Sequence, residues 1–305
     1  MTDVLLVLGG VALLYGGGEL LVRYASGLGR ALGMSPLVVG LTIVSFGTSA
    51  PELASTLSAT MKGAPDIAIG NVVGSNIANI GLVVGLVALL RPLSASGSLV
   101  RVDTPVMVAV CLVFVWACFD GVLGRVDGGI LVTCLALFIY SLFRRSKTEE
   151  VAPIEEDEIA PMWQSILGIL AGLAGLMFGA EMLIDGATTI ARNFGVSERV
   201  IGLTLVALGT SLPELASSLV AAFREEVDLL MGNIIGSNIF NVLAVAGTTG
   251  LVQPIPVVWD VSARDMAVMV GFACAIWFGL QVRGGVKRLE GGALTLAYAV
   301  YMVML

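Results

Sequence analysis

Two stretches of the chain, each present twice, hold its reactive chemistry. Residues 47–57 read GTSAPELASTL and residues 209–219 read GTSLPELASSL; residues 70–79 read GNVVGSNIAN and residues 232–241 read GNIIGSNIFN. The donors on offer are carboxylates, hydroxyls, side-chain amides and backbone carbonyls. The chain contains no histidine, which excludes histidine-ligated metals and histidine general bases. Cys111, Cys118, Cys134 and Cys274 lie inside apolar runs without a CxxC pair, and read as buried, reduced, space-filling thiols. Pro51 cannot donate a backbone hydrogen bond, so it starts a new half-helix. Gly47 permits a backbone excursion just before it. The carbonyls near Val44, Ser45 and Gly47 should then lose their helical partners, which in hydrocarbon is untenable unless something satisfies them. Thr48, Ser49 and Glu52 follow at helical spacing, and Thr210, Ser211 and Glu214 repeat the arrangement.

Glu52 and Glu214 are the sharpest features. A carboxylate at mid-bilayer costs about 2.5–3.5 kcal/mol. Two of them at about 5 Å repel by roughly 3 kcal/mol at an effective dielectric of about 20, so such a pair needs protons or cations between its members. Asn71, Ser75 and Asn79 are spaced four apart and mark one polar stripe; Asn233, Ser237 and Asn241 repeat it. Asn79 and Asn241, deepest along the stripes, read as ligands, and Ser75 and Ser237 as support. Asn71, Asn76, Asn233 and Asn238 read equally well as glue between helices. Gly70 and Gly74 would let a broken helix approach closely. Asp66 and Asp228 read as helix N-caps. Glu19, Glu181 and Asp185 read as interfacial or helix-pairing residues. The inventory is one of hard oxygen donors, which suits Ca²⁺ with its six to eight oxygen ligands rather than a soft metal. Two carboxylates neutralise one Ca²⁺, and the same cage can hold Na⁺. No cofactor is implied; the ions are substrates.

The elements that must position these groups follow from composition. Of 305 residues, 57% are hydrophobic and 13% charged, and the mean hydropathy is +0.97. That excludes a soluble globular enzyme and a disordered chain. The net charge is −7, and six of the 23 acids fall within residues 149–158; no basic surface for nucleic acid is present. Apolar runs fall at 3–22, 35–61, 67–90, 102–119, 127–143, 163–184, 197–223, 229–251, 264–281 and 289–305, each near the ~20 residues that cross a bilayer as a helix. The first run lacks a positive flank and reads as a retained helix. A shift of 162 residues superimposes the halves without a gap, with 22 identities in the 41 positions between 40–80 and 202–242. The chain is a tandem duplication of a five-span unit: 1–143 and 162–305, joined by an acidic linker, 144–161. Five is odd, so the second copy should sit inverted, the arrangement of transporters whose site lies at mid-membrane between repeats. The side bearing the N-terminus carries five Lys/Arg in its loops and the other side eleven. The positive-inside rule puts both termini outside and the linker in the cytoplasm.

The paired GTSxPE and GNxxGSN segments resemble the two alpha repeats of the Na⁺/Ca²⁺ exchanger family, within the calcium/cation antiporter superfamily, in its compact prokaryotic form. The likeness extends over essentially the whole chain. It implies an all-α membrane protein of ten transmembrane helices, built from two inverted five-helix repeats with broken helices at the centre, exchanging Na⁺ for Ca²⁺ across the plasma membrane by alternating access. It implies that Glu52 and Glu214 bind both ions, that Thr48, Ser49, Thr210, Ser211 and the backbones of Ser45 and Ala207 add ligands, and that Asn79 and Asn241 complete the site. The K⁺-dependent branch carries Asp where this chain has Asn241, which argues for K⁺ independence. Proton/Ca²⁺ exchangers usually carry an acid within the segment that here reads GNVVGSN, which argues against proton coupling. The competing readings are proton- or potassium-coupled antiport of Ca²⁺ or another divalent cation, and a passive cation channel. An intramembrane enzyme stands further off, since its serines would have no base but the two Glu.

Overall fold

Backbone polar groups in lipid must be satisfied within their own segment, so long apolar runs become helices. The computed structural model describes residues 2–95, 97–146, 161–196, 201 and 209–304. Its helices are α1 (Thr2–Ala31), α2 (Pro36–Thr48), α3 (Ala50–Met61), α4 (Pro65–Leu90), α5 (Leu99–Ala117), α6 (Arg125–Ser146), α7 (Met162–Asn193), α8 (Leu212–Phe223), α9 (Val227–Val252), α10 (Trp259–Arg283) and α11 (Arg288–Met304). Among the described residues, seven helices are long and apolar enough to cross a membrane, or eight if α2 and α3, bent by 40°, count as one span. The run at 197–223 lies partly outside the described residues and ends in α8. The run at 289–305 is α11, 17 residues long.

The centre belongs to α4 and α9, whose apolar windows are 78% and 94% buried, against 28% for α1 and 22% for α6. Three stretches of the central helices widen into π-type turns: Gly40–Val44 in α2, Asn79–Val84 in α4 and Asn241–Ala246 in α9. Such turns gather at functional sites because they displace side chains and carbonyls from the regular ladder.

The duplicated elements pack against each other crosswise. Helices α1 and α7 run antiparallel: Gly10 meets Gly179 and Gly17 meets Gly172. Two short strand pairs follow the same rule. Strand β1 (Leu93–Ser94) pairs with β4 (Gly285–Val286), and β2 (Val122–Leu123) pairs with β3 (Ile255–Pro256). Each strand near the end of one half is thus closed by a strand of the other half. At the end of α6, Arg145 reaches α5 to pair with the fully buried Asp103 at 2.6 Å.

Helix α2 lies backbone to backbone on α9. A Cβ added at Gly40 would sit 2.3 Å from the Leu229 carbonyl oxygen, and one at Gly232 would sit 2.5 Å from that of Leu37. Two sequence expectations change here, and a third meets residues outside those described. Gly47 makes no excursion: it lies in a helical turn, where a Cβ would meet Leu173 at 2.6 Å, so its smallness serves packing. The bend falls instead at Ser49, at φ −82° and ψ 1°. Asp66 and Asp228 are not N-caps; they sit in the first turns of α4 and α9, whose cap positions are Ala64 and Glu226. At Gly70 and Gly74 no described residue comes within 4 Å of an added Cβ, and the segment that the duplication sets opposite them, 202–208, lies outside the described residues.

The crossing gives a direct test. Gly232→Leu should destabilise the protein by about 3 kcal/mol or more, because the clash is with backbone that cannot move aside. Gly271→Ala, where nothing lies within 4 Å, should be neutral or slightly stabilising. Thermal unfolding of both variants in the same detergent reads the difference.

Candidate functional site

Proline sets the position of both central carboxylates. Helix α3 begins at Ala50 with Pro51 in its first turn and Glu52 next; α8 begins at Leu212 with Pro213 and Glu214. Each carboxylate therefore occupies the first turn of a helix, where the backbone N–H groups favour negative charge. Ser49 and Ser211 hold the N-cap positions, at φ/ψ of −82°/1° and −89°/0°, yet neither hydroxyl caps its helix.

These groups meet across the halves. Helix α3, which carries Glu52, packs on the widened turn of α9 that starts at Asn241; α8, which carries Glu214, packs on the widened turn of α4 that starts at Asn79. Glu52 lies near enough to Glu214 to feel its charge. The Ser75 hydroxyl faces Glu52 and the Thr48 hydroxyl faces Glu214, but neither closes to a hydrogen bond with the carboxylate.

Burial and bonding together define the site. Ser49, Glu52, Asn79, Ser211, Glu214 and Asn241 are all buried, at no more than 3% exposure. Among the described residues, no polar side-chain atom of these six has a hydrogen-bond partner. An unpartnered buried polar atom costs about 1–3 kcal/mol, and more if charged. Native structures hold few such atoms, yet here they come as matched pairs from the two halves. Six residues with orphaned oxygens on adjoining elements form a set of donors suited to a cation.

Several surrounding residues are hydrogen-bonded and hold the donors in place. Thr48 donates to the Asn233 amide oxygen at 3.3 Å and lies 3.4 Å from the Ser237 hydroxyl. The Ser45 hydroxyl bonds the Gly40 carbonyl at 2.6 Å and the Asn233 carbonyl at 3.0 Å. Its own carbonyl accepts the Ser49 N–H at 3.0 Å, so it is not fully freed; one lone pair remains. Asn71 donates to the Glu52 carbonyl at 3.1 Å and to the Thr56 hydroxyl at 2.8 Å, and Asn233 donates to Ser217 at 3.3 Å. Asn76 and Asn238 donate through Nδ2 to the Met269 sulfur and the Ile234 carbonyl, and among the described residues their buried amide oxygens have no partner. Thr56 and Ser217 escaped the sequence reading. Their signal was the ASTL/ASSL tail of the duplicated motif, about one turn beyond each Glu. Thr210 is half-buried and lines a cavity of about 460 Å³ with Pro51, Pro213, Glu181 and Asp185. Ala207 lies outside the described residues. Among the described residues no group of three or more His, Cys, Asp or Glu forms, so a cation here would rest on two carboxylates and neutral oxygens.

The sodium/calcium exchanger protein family model matches residues 2–144 and 164–305, leaving only the linker region between its two blocks. The chain belongs to the sodium/calcium exchanger family. Among its relatives, CaxA of Alkalimonas amylolytica is 38% identical over 312 residues, covering 98% of this chain and 97% of CaxA. The sodium/calcium exchanger MaX1 of Methanosarcina acetivorans is 30% identical, over 99% of this chain and 97% of MaX1. A solved structure of the sodium-calcium exchanger NCX_Mj, soaked with Na⁺ and Sr²⁺, aligns with a TM-score of 0.87 at 32% identity, covering 100% of this chain and 99% of that one. Family membership makes the protein an integral, multi-pass membrane transporter and not an enzyme.

Two unpartnered carboxylates that repel one another predict a stability test for this exchanger. In buffer free of Na⁺ and divalent ions, Glu52→Gln or Glu214→Gln should raise the melting temperature, because one buried charge is removed. Saturating Ca²⁺ should stabilise the parent, by about 2.7 kcal/mol at a hundredfold excess over Kd, and should leave either variant nearly unmoved. Melting curves with and without Ca²⁺ check both signs.

Proposed function

We propose that this member of the family exchanges Na⁺ for Ca²⁺ across the plasma membrane by alternating access. The observation that carries the reading is the matched set of orphaned buried donors. Glu52 and Glu214 take both ions, singly charged and doubly charged in turn. Ser49, Ser211, Asn79 and Asn241 supply oxygens around them, Thr48 and Thr210 add hydroxyl or carbonyl ligands, and the backbones of Ser45 and Ala207 complete the shell. Asn71, Ser75, Asn233 and Ser237 support the frame. Ca²⁺ neutralises both carboxylates at once and accepts the irregular oxygen geometry of such a cage. Na⁺ ions compete for the same oxygens, which is what couples the two fluxes.

The architecture of the proposal is ten helices in two inverted five-helix repeats. The antiparallel contact of α1 with α7 and the crosswise strand pairs support it. The excess of Lys and Arg on the linker side supports termini outside and the linker, 144–161, in the cytoplasm. Coupling to Na⁺ rather than H⁺ or K⁺ is supported by the donor set, which offers two carboxylates and carries Asn at position 241.

Flux in proteoliposomes tests this. An outward-directed Na⁺ gradient should drive Ca²⁺ uptake, and Glu52→Gln or Glu214→Gln should reduce it at least about 100-fold. A pH gradient or a K⁺ gradient alone should drive none. Ca²⁺ flux that follows pH and ignores Na⁺ would replace this reading with proton-coupled antiport. Flux that needs no counter-ion would make the protein a channel.

A further inference from the structure

The two halves are alike in sequence but their ends differ in bonding. On the linker side, Arg224 at the end of α8 binds Glu19 of α1, with Nε donating to Oε2 at 2.8 Å. Beside it, Arg91 at the end of α4 donates to the Ala222 carbonyl at 2.8 Å and pairs with Glu225 at 2.6 Å. Shifting these residues by 162 names their counterparts on the other side. Glu19 and Arg224 correspond to Glu181 and Lys62, and Arg91 and Glu225 correspond to Gln253 and Gly63. Glu181 and Lys62 are both exposed and form no ion pair with each other. Gln253 and Gly63 have no charges to pair.

Backbone strain adds an independent observation. Glu225 is the one non-glycine residue at positive φ among the described residues, at 64°, and its counterpart Gly63 lies at 73°. That region disfavours a side chain. Glu225 occupies the strained position and reaches Arg91 from it.

The cavities follow the same division. A cavity of about 460 Å³ beside α7 contains Glu181 and reaches Pro51, Thr210 and Pro213 at the two carboxylate-bearing turns. Its duplicate beside α1, about 440 Å³, contains Glu19 and ends at Arg224 without touching either turn. The cavity that reaches the carboxylate-bearing turns therefore lies on the side where the pair is apart, and the one that stops short of them lies on the side where it is made.

We infer that Glu19–Arg224 and Arg91–Glu225 form an ionic latch that holds the linker-side mouth shut, and that Glu181 and Lys62 are its counterpart, meeting when the other mouth closes. The latch rests on the alternating-access reading above and deepens it. Because the linker side carries a second pair with no equivalent opposite, the latch biases the resting carrier toward the state open on the N-terminal side. An exposed ion pair is weak, which suits a contact that must break in every cycle.

Accessibility tests the latch without any flux measurement. Ser218→Cys places a thiol on α8 between Glu214 and Arg224, at a fully buried position. A membrane-impermeant maleimide is applied to the full-length protein in vesicles whose linker side faces the bath, and labelling of the parent's own cysteines is subtracted. Glu19→Gln should raise the labelling rate about fivefold. Glu225→Gly, which suits the positive φ and so keeps the fold, should also raise it. The exchanged pair Glu19→Arg with Arg224→Glu should return the rate to within about twofold of the parent. Glu181→Gln should move it the opposite way. An unchanged rate in both Glu19→Gln and Glu225→Gly would overturn the latch, and so would a Glu181→Gln variant that labels as fast as Glu19→Gln. Loss of Na⁺-driven flux with the labelling pattern intact would count against the proposed coupling and leave the latch standing.

Discussion

Two carboxylates in a medium that does not solvate them set the terms for this protein. Glu52 and Glu214 are almost fully buried, feel one another, and have no hydrogen-bond partner among the described residues. Desolvation of a charge in a low-dielectric interior costs several kcal/mol, and a like charge beside it adds more. Placing each at the first turn of a helix recovers part of that through the backbone N–H groups. The remainder is what a cation shared by the two, as proposed above, would offset. A carrier built in that way would bind in order to neutralise itself, and would release when another cation takes over.

The rest of the fold can be understood as holding that pair in register. Proline starts α3 and α8 just before each Glu, and the close Gly40–Gly232 crossing locks α2 on α9. The widened turns at Asn79 and Asn241 bring an unpartnered amide from each central helix to the opposite half. Around them, the Thr48–Asn233–Ser237 and Asn71–Thr56 contacts are fully bonded. A bonded frame of this kind around unsatisfied central groups is the arrangement expected when rigidity is needed in the frame and affinity in the centre. The ends of the helices are less symmetric than the centre, and it is there that the two faces of the membrane can be told apart.

Much of this was legible in the residues. The 162-residue repeat announced the paired elements, and carboxylates in the middle of apolar runs marked the candidate site, because a charge there is costly. Spacing could not tell which polar side chains point inward. Asn71 and Asn79 share a stripe, yet one bonds the Glu52 carbonyl and the other stays free, since the widened turn begins only at Asn79. Gly47 looked like a hinge but serves packing against Leu173. Ser45 was expected to present a bare carbonyl and instead spends its hydroxyl on two carbonyls and accepts a backbone N–H. Local propensity does not report such tertiary bonding. The partners of the linker-side ion pairs escaped for the same reason: Glu19 reads as an interfacial or helix-pairing acid, and only the packed structure shows that α8 ends beside it.

Anomalous diffraction from crystals soaked with Sr²⁺, as a stand-in for Ca²⁺, tests the central claim most directly. The account predicts one strong peak between Glu52 and Glu214, within about 2.8 Å of carboxylate oxygens from both, a little beyond the 2.3–2.6 Å of Ca²⁺, and its loss as Na⁺ is raised. A peak that engages only one of the two, or a divalent ion bound elsewhere while both carboxylates stay unliganded, would contradict it.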